Sequence, residues 1–430
     1  RVMTRQGVPP GHDPAYVFYS ADDFVILPRR ATVMSVSVPK GFLLAGVHCR
    51  IKSDPQKPDL ALIMSEVPAV AAGVYTQNLV CAAPVVLDRQ RTPSDRIRAV
   101  AVNSGSANAC TGERGFADAQ KMAALAAAVC GAAPEEALVM STGIIGQFLP
   151  MDKIEQGISA AAVKLGSKPT DLMTAARAIM TTDLVPKMAG RTLQLAGRTV
   201  QIAGIAKGSG MIGPNMATML GVIITDAPLS PATAQSMLAE VADETFNCVS
   251  VEGHVSTNDS LVMLANGQAG GEPLTGGDLT AFQKALSEVC VELARAIPAD
   301  GEGATHLITI DVTGCADRES ARKIAKTVAD SALVKTAVAG ADPNWGRIVS
   351  AAGYAGVPLD AAAIKLKVNG VLLYEHGTPV SFDAQAVSDS MRTNRDVHVE
   401  LSFGEGKAAA RFWTCDLTAD YIRINADYHT

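Results

Sequence analysis

The hydrophobic positions of the chain fall first into short strand-like runs and later into runs with a helical repeat. Asp59-Leu60-Ala61-Leu62-Ile63-Met64, Ala72-Gly73-Val74-Tyr75-Thr76, Ala82-Ala83-Pro84-Val85-Val86-Leu87 and Ala99-Val100-Ala101-Val102-Asn103 read as strands divided by glycine, proline and polar residues. The period then changes. Residues 118–130 carry Met122, Leu125 and Val129 at helical spacing, with Gly131 where a C-capping glycine belongs. Leu138-Val139-Met140 predicts a strand entering the turn Ser141-Thr142-Gly143, and residues 152–165 and 170–180 predict amphipathic helices, the second capped by Thr170-Asp171. Ser230-Pro231 supplies an N-cap and a first-turn proline for a helix to about residue 244. Residues 247–264 read as strand-like around a polar turn, 278–297 as a long helix, 307–312 as a strand and 320–335 as one helix. Several strands before the first helix, with mixed order afterwards, predict layered sheets with helices outside rather than a regularly alternating doubly wound sheet.

One stretch organises this pattern. Thr199-Val200-Gln201-Ile202-Ala203-Gly204 reads as a strand leading into Lys207-Gly208-Ser209-Gly210-Met211-Ile212-Gly213-Pro214-Asn215-Met216-Ala217-Thr218, and Met219-Leu220-Gly221-Val222-Ile223-Ile224-Thr225 follows as a second. Glycines, a proline and an asparagine specify a sharply turning backbone between them. The loop therefore delivers the Thr218 hydroxyl to the start of a buried strand.

At 430 residues the chain exceeds the size at which single cores usually stop growing, so more than one lobe is expected. Hydrophobic residues make up 48% and aromatic ones 4%, which predicts an interior of small and aliphatic side chains at close range. A net charge of −6 gives no field that would gather nucleic acid or an anionic membrane. No apolar run approaches the ~18 residues of a spanning helix, so a soluble protein is expected, in the cytoplasm or, for a eukaryotic source, in an organelle. The eight cysteines are scattered without a C-x-x-C pair and the seven histidines without metal-ligand spacing, which argues for buried thiols and against a zinc site. The chain begins at Arg1 without an initiator methionine, which predicts trimming, and residues 1–35 read as a peripheral extension without a signal-type apolar core.

Gly208, Gly210 and Gly213 form a literal G-x-G-x-x-G. That fingerprint requires a helix opening at the third glycine, and Pro214-Asn215 with a β-branched run stands there instead, so a dinucleotide cradle is set aside. Thr218 on its own is an ordinary strand threonine. Cleavage of the Ala217-Thr218 bond would change its chemistry, because an amino-terminal threonine carries a nucleophilic hydroxyl together with an α-amine of pKa about 7.7–8.0 that can serve as its base.

The stretch 207–220 resembles the signature of the ornithine acetyltransferase family, the bifunctional glutamate N-acetyltransferases of arginine biosynthesis. The resemblance extends over residues 36–430. It includes Asn103-Ser104-Gly105, Gly112-Glu113-Arg114-Gly115, Ser141-Thr142-Gly143, Met180-Thr181-Thr182-Asp183, Ser256-Thr257-Asn258-Asp259, Asp300-Gly301-Glu302-Gly303-Ala304-Thr305, Asp342-Pro343-Asn344-Trp345-Gly346-Arg347 and Asn425-Ala426 with Thr430. Two departures are Ser106, where the family usually has asparagine, and Glu252-Gly253-His254 in place of Asp-Gly-Asp.

The resemblance implies an α/β protein with a layered αββα-type sandwich like that of amino-terminal-nucleophile enzymes, and a smaller C-terminal α/β portion from about residue 315. It implies self-cleavage between Ala217 and Thr218 into an α-chain, 36–217, and a β-chain, 218–430. Thr218 is then the nucleophile, Thr142 and Gly143 form the oxyanion hole, and Thr182, Lys207, Thr218, Glu302, Asn425 and Thr430 bind substrate. Lys207 suits the α-carboxylate that N2-acetylornithine and glutamate share, and Glu302 suits the ornithine ammonium. The implied reaction moves acetyl from N2-acetyl-L-ornithine to L-glutamate through an acetyl-threonine, with no cofactor or metal, acetyl-CoA remaining open as a second donor, in an α2β2 heterotetramer. Two other readings stay open at this point: an amino-terminal-nucleophile aminopeptidase or amidase, and a non-catalytic protein whose glycine loop holds an anion.

Overall fold

The computed structural model of the protein describes residues 36–213, 219–404 and 406–427. The expected extension, residues 1–35, lies outside them. In chain order the larger part contains β1 (Phe42–Val47), β2 (Leu60–Tyr75), α1 (Ala83–Arg91), β3 (Ser94–Ser106), α2 (Gly112–Val129), β4 (Ala137–Ile144), α3 (Met151–Ala162), α4 (Pro169–Ala178), β5 (Lys187–Leu195), β6 (Arg198–Lys207), β7 (Leu220–Thr225), α5 (Pro231–Glu244), β8 (Ser260–Ala265) and α6 (Gly276–Ala299). The smaller part contains β9 (Leu307–Cys315), α7 (Arg318–Asp330), α8 (Ala332–Ala339), α9 (Trp345–Gly353), β10 (Lys365–Val368), β11 (Val371–Glu375), β12 (Thr378–Pro379), α10 (Ala384–Thr393), β13 (Asp396–Ser402), β14 (Ala408–Cys415) and α11 (Ala419–Asp427).

The large sheet has the order β4-β3-β2-β8-β7-β6-β5, with β1 pairing β2 besides. β2 joins its two halves: its first part pairs β1 and β3, its last part pairs β8, and the register against β3 shifts between Met64 and Ala71. Alternation along the strands then separates three layers of buried side chains. Ala61 and Ile63 of β2, Val100 and Val102 of β3, Ile205 of β6, Leu220, Val222 and Ile224 of β7 and Val262 of β8 meet between the two halves. Their neighbours Leu60, Leu62, Ala99 and Ala101 pack outward against Met122 and Ala126 of α2 and Ile154 of α3. On the opposite side Ile202, Ile223, Leu261 and Met263 meet Leu238 of α5 and Phe282, Leu286 and Val289 of α6. The result is helix, sheet, sheet, helix: a layered αββα sandwich.

β7 and β8 are parallel and buried along their whole lengths, which is why 219–225 reads as an unbroken apolar run instead of an alternating one. The smaller sheet has the order β12-β11-β10-β13-β9-β14, and its first strand starts at Leu307. Among the described residues no helix is long and apolar enough to cross a membrane.

Three local expectations are corrected. Residues 82–87 are not a strand but the start of α1. Pro84 sits in its first turn, where no N–H is required, and Pro84, Val85, Leu87 and Asp88 form the buried stripe of a helix. Residues 247–264 are strand only from Ser260, because side chains of the preceding turn bind backbone that a ladder would use: the Ser256 hydroxyl accepts from the Asn258 N–H, and the Asn258 amide donates to the carbonyls of Ala107 and Ser141. Residues 320–335 are two helices. Ser331 takes an extended conformation and caps α8 by accepting from the Val334 N–H. By contrast, α5 has the predicted start, with Ser230 accepting from the Thr233 N–H ahead of Pro231.

Candidate active site

The ends of β3 and β4 build the first wall. They run parallel with Ser104 opposite Thr142 and Gly105 opposite Gly143, so β4 continues through the Ser141-Thr142-Gly143 stretch that reads as a turn. Gly143 has φ +131°, and a Cβ there would lie 2.3 Å from the Gly105 carbonyl carbon. Only glycine fits this close approach. Ser141 donates to Asn103 Oδ1 at 2.6 Å and its carbonyl accepts from Asn258, which fixes the strand end from both sides.

Lys207, the last residue of β6, is buried, and its Nζ lies 3.2 Å from Thr142 Oγ1. An ammonium has no acceptor, so the Thr142 oxygen accepts and the Thr142 hydroxyl hydrogen is left to donate elsewhere. Burial lowers the Lys207 pKa, with Asp183 opposing and Lys187 adding to the shift. Asp183 Oδ1 accepts from Lys187 Nζ and from the Gly208 N–H, each at 2.7 Å. Burial alone would raise the Asp183 carboxyl, but Lys187 and Lys207 hold it well below the usual carboxylate range. Lys187 Nζ also donates to Asp300 Oδ2 at 3.0 Å, and that oxygen accepts from the Leu184 and Val185 N–H groups. Burial would lower the Lys187 pKa, but the two aspartates raise it. Alternating buried charges thus lock the entry to the glycine loop.

The second wall carries Thr182 and Glu302. The Thr182 and Ser209 hydroxyls are 2.7 Å apart, and the Ser209 carbonyl accepts from the Glu302 N–H at 2.8 Å. The Glu302 carboxylate lies across Gly210 so closely that a Cβ at that position would meet its Cδ at 2.5 Å. Asn425 of α11 donates to Glu302 Oε2 at 2.8 Å. Beyond Gly210, Glu252 Oε1 accepts from the Ile212 N–H at 2.6 Å, while its buried Oε2 has no partner. Burial pushes the Glu252 carboxyl up to about 8, with Glu302 adding to the shift.

A continuous path of contacts therefore joins Thr142, Lys207, Asp183, the loop 208–212, Thr182, Glu302 and Asn425. Three expected site positions, Ala217, Thr218 and Thr430, lie outside the described residues; the described neighbours of Thr218 are reached at Met219, whose N–H donates to Asp259 Oδ1 at 3.1 Å. Among the described residues no group of histidines, cysteines and carboxylates is arranged to hold a metal ion.

The ArgJ family model matches residues 43–430. The chain belongs to the ArgJ family. It is similar to the arginine biosynthesis bifunctional protein ArgJ of Rhodopirellula baltica, 47% identical over 406 residues that cover 94% of this chain and 99% of that protein. The ArgJ of Symbiobacterium thermophilum is 48% identical over 399 residues, 92% of this chain and 98% of that one. A crystal structure of the Bacillus halodurans ArgJ, at 39% identity and a TM-score of 0.46, covers 47% of this chain and 96% of that chain.

The local sequence pattern does not mark Asp183, Lys187, Asp259 and Asp300 as buried groups. Each is a charged residue beside a threonine, glycine or proline turn, where a solvated side chain is the ordinary expectation, and only the meeting of distant segments buries it. Glu252 stands out in the sequence as a departure, but its burial against the loop does not.

Proposed function

We infer that this chain is the acetyltransferase of the arginine-biosynthesis acetyl cycle, transferring acetyl from N2-acetyl-L-ornithine to L-glutamate to give L-ornithine and N-acetyl-L-glutamate. The observation that carries the mechanism is the Lys207 to Thr142 hydrogen bond. It commits the Thr142 oxygen as acceptor, frees its hydrogen for a developing oxyanion beside the Gly143 N–H, and sets a buried cation where an α-carboxylate can pair with it.

In this reading the chain cuts itself between Ala217 and Thr218, giving 36–217, preceded by the extension 1–35, and 218–430. The Thr218 hydroxyl attacks the acetyl carbonyl while its α-amine takes the proton. Thr142 and Gly143 donate to the oxyanion, the tetrahedral intermediate collapses, and the ornithine amine leaves with a proton returned from the Thr218 amine. The α-amine of glutamate then enters the position that the ornithine amine vacated and takes the acetyl group from the threonine ester. Lys207 pairs the shared α-carboxylate, Glu302 takes the ornithine ammonium with Asn425 holding its second oxygen, and Thr182 and Thr430 complete the substrate shell. No cofactor or metal takes part. Acetyl-CoA serves as a second acetyl donor to the same threonine, the two cut chains assemble as α2β2, and the enzyme works in the cytoplasm.

The test is acetyl transfer with labelled N2-acetylornithine and glutamate, compared with Thr218→Ala. Glutamate-dependent formation of ornithine and N-acetylglutamate, lost in Thr218→Ala, is expected. Release of free acetate regardless of glutamate would instead identify an amidase.

A further inference from the structure

Asp259 has no part in the roles above, yet it sits beside the residue that follows Thr218. β7 and β8 run parallel with Leu220 opposite Ser260, so Met219 and Asp259 lie side by side where two buried strands begin. The backbone there is tied: the Thr76 N–H donates to the Asp259 carbonyl at 2.9 Å and the Ser260 N–H to the Met219 carbonyl at 3.1 Å. Asp259 is fully buried. Its Oδ1 accepts the Met219 N–H at 3.1 Å, and its Oδ2, also buried, makes no hydrogen bond. Burial pushes the carboxyl well above the ordinary range, against the influence of the Met219 N–H, Lys207 and the neighbouring Ser256 and Thr76 hydroxyls. Leaving a buried acceptor without a partner costs about 1–3 kcal/mol, and among the described residues none donates to this oxygen within hydrogen-bond distance.

The connection to Thr218 is covalent. Three bonds separate the Met219 nitrogen from the α-nitrogen of Thr218, which limits their separation to about 4 Å. The α-nitrogen of Thr218 is therefore tethered next to the nitrogen that Asp259 Oδ1 already holds. Given the cleavage reading above, we propose that Asp259 is the positioning residue of the amino-terminal threonine, its Oδ1 fixing the Met219 amide and its Oδ2 accepting from the α-amine that cleavage frees. Before cleavage that nitrogen is an amide. Afterwards the pairing with an α-ammonium lowers the carboxyl pKa, raises that of the amine, and directs the amine's lone pair in the neutral state.

The experiment is the pH profile of kcat/KM for acetyl transfer by the cut enzyme, wild type against Asp259→Asn, with fragment masses and melting temperatures measured on both. Losing the carboxylate lowers the amine pKa, so the acid limb is expected to move to lower pH by on the order of one unit. Loss of aim is expected to lower kcat by roughly 10²-fold. An aspartate that only supports the fold would change the melting temperature and the yield of cut protein but not the limb of the cut fraction, so a wild-type limb and kcat in Asp259→Asn overturn the proposal. If that variant is unfolded or uncut, Asp259→Glu decides, since it keeps the charge and moves it by one methylene: kcat is expected to fall by roughly tenfold or more with the limb retained, and a wild-type kcat overturns the proposal. A wild-type protein that is itself uncut, or transfers no acetyl, contradicts the cleavage reading rather than the role of Asp259.

Discussion

The Lys207 ammonium and the Thr142 hydroxyl, 65 residues apart in sequence, meet at 3.2 Å with both side chains buried. The pair assigns the hydroxyl its direction, because the lysine can only donate. In the proposed mechanism Thr142→Ala removes an oxyanion donor and leaves Lys207, the proposed partner of the substrate carboxylate, in place. A fall in kcat of about 10²–10³ with little change in KM is expected from steady-state kinetics, and Thr142→Ser should recover most of the loss.

Asp183→Asn removes the anion shared by Lys187 and the Gly208 N–H and leaves two buried lysines facing one another. Breaking a buried ionic network from one side costs about 3–5 kcal/mol, so denaturant unfolding should show a loss of that order. The Asp183 carboxyl is held below its unfolded value. Its contribution is therefore present above the ordinary carboxylate range near 3.9 and lost as pH falls below it, and the variant should show a flatter acid limb of stability.

Glu302 and Asn425 should separate the two substrates. Glu302→Gln withdraws the charge proposed to pair with the ornithine ammonium, and a rise of about 10–10² in KM for N2-acetylornithine is expected, with a much smaller effect on KM for glutamate. Asn425→Ala frees Glu302 Oε2 and should give a weaker version of the same pattern.

The loop at 207–213 and the strands on either side of it are legible in the sequence because glycine spacing and continuous apolar runs are local signals. So is the start of α5, where Ser230 and Pro231 state the cap directly. What is not legible comes from distance. Val85 and Leu87 suit a strand or a helix equally until Pro84 and the buried Asp88 are seen on one face. Asp183, Asp259 and Asp300 look like turn residues because the backbone N–H groups that their carboxylates accept from lie up to 116 residues away. Resemblance alone singles out Thr218 as the proposed nucleophile, since nothing in the local pattern separates it from an ordinary strand threonine.

Glu252 predicts a second pH dependence of opposite sign. Its folded pKa is about 8 against an ordinary 4.5, so the folded state keeps a proton that the unfolded chain has lost. Stability should decline as pH rises from about 4.5 to 8 and level off above. Glu252→Gln removes that decline: melting temperatures of variant and wild type should be close at pH 5, with the variant melting higher at pH 8.5.

Intact-mass measurement of the purified wild-type protein, with amino-terminal sequencing of each species, tests whether the chain cuts itself before Thr218. Two fragments are expected, the second beginning Thr-Met-Leu-Gly at Thr218. A single uncut chain that nevertheless transfers acetyl from N2-acetylornithine to glutamate would contradict that cleavage.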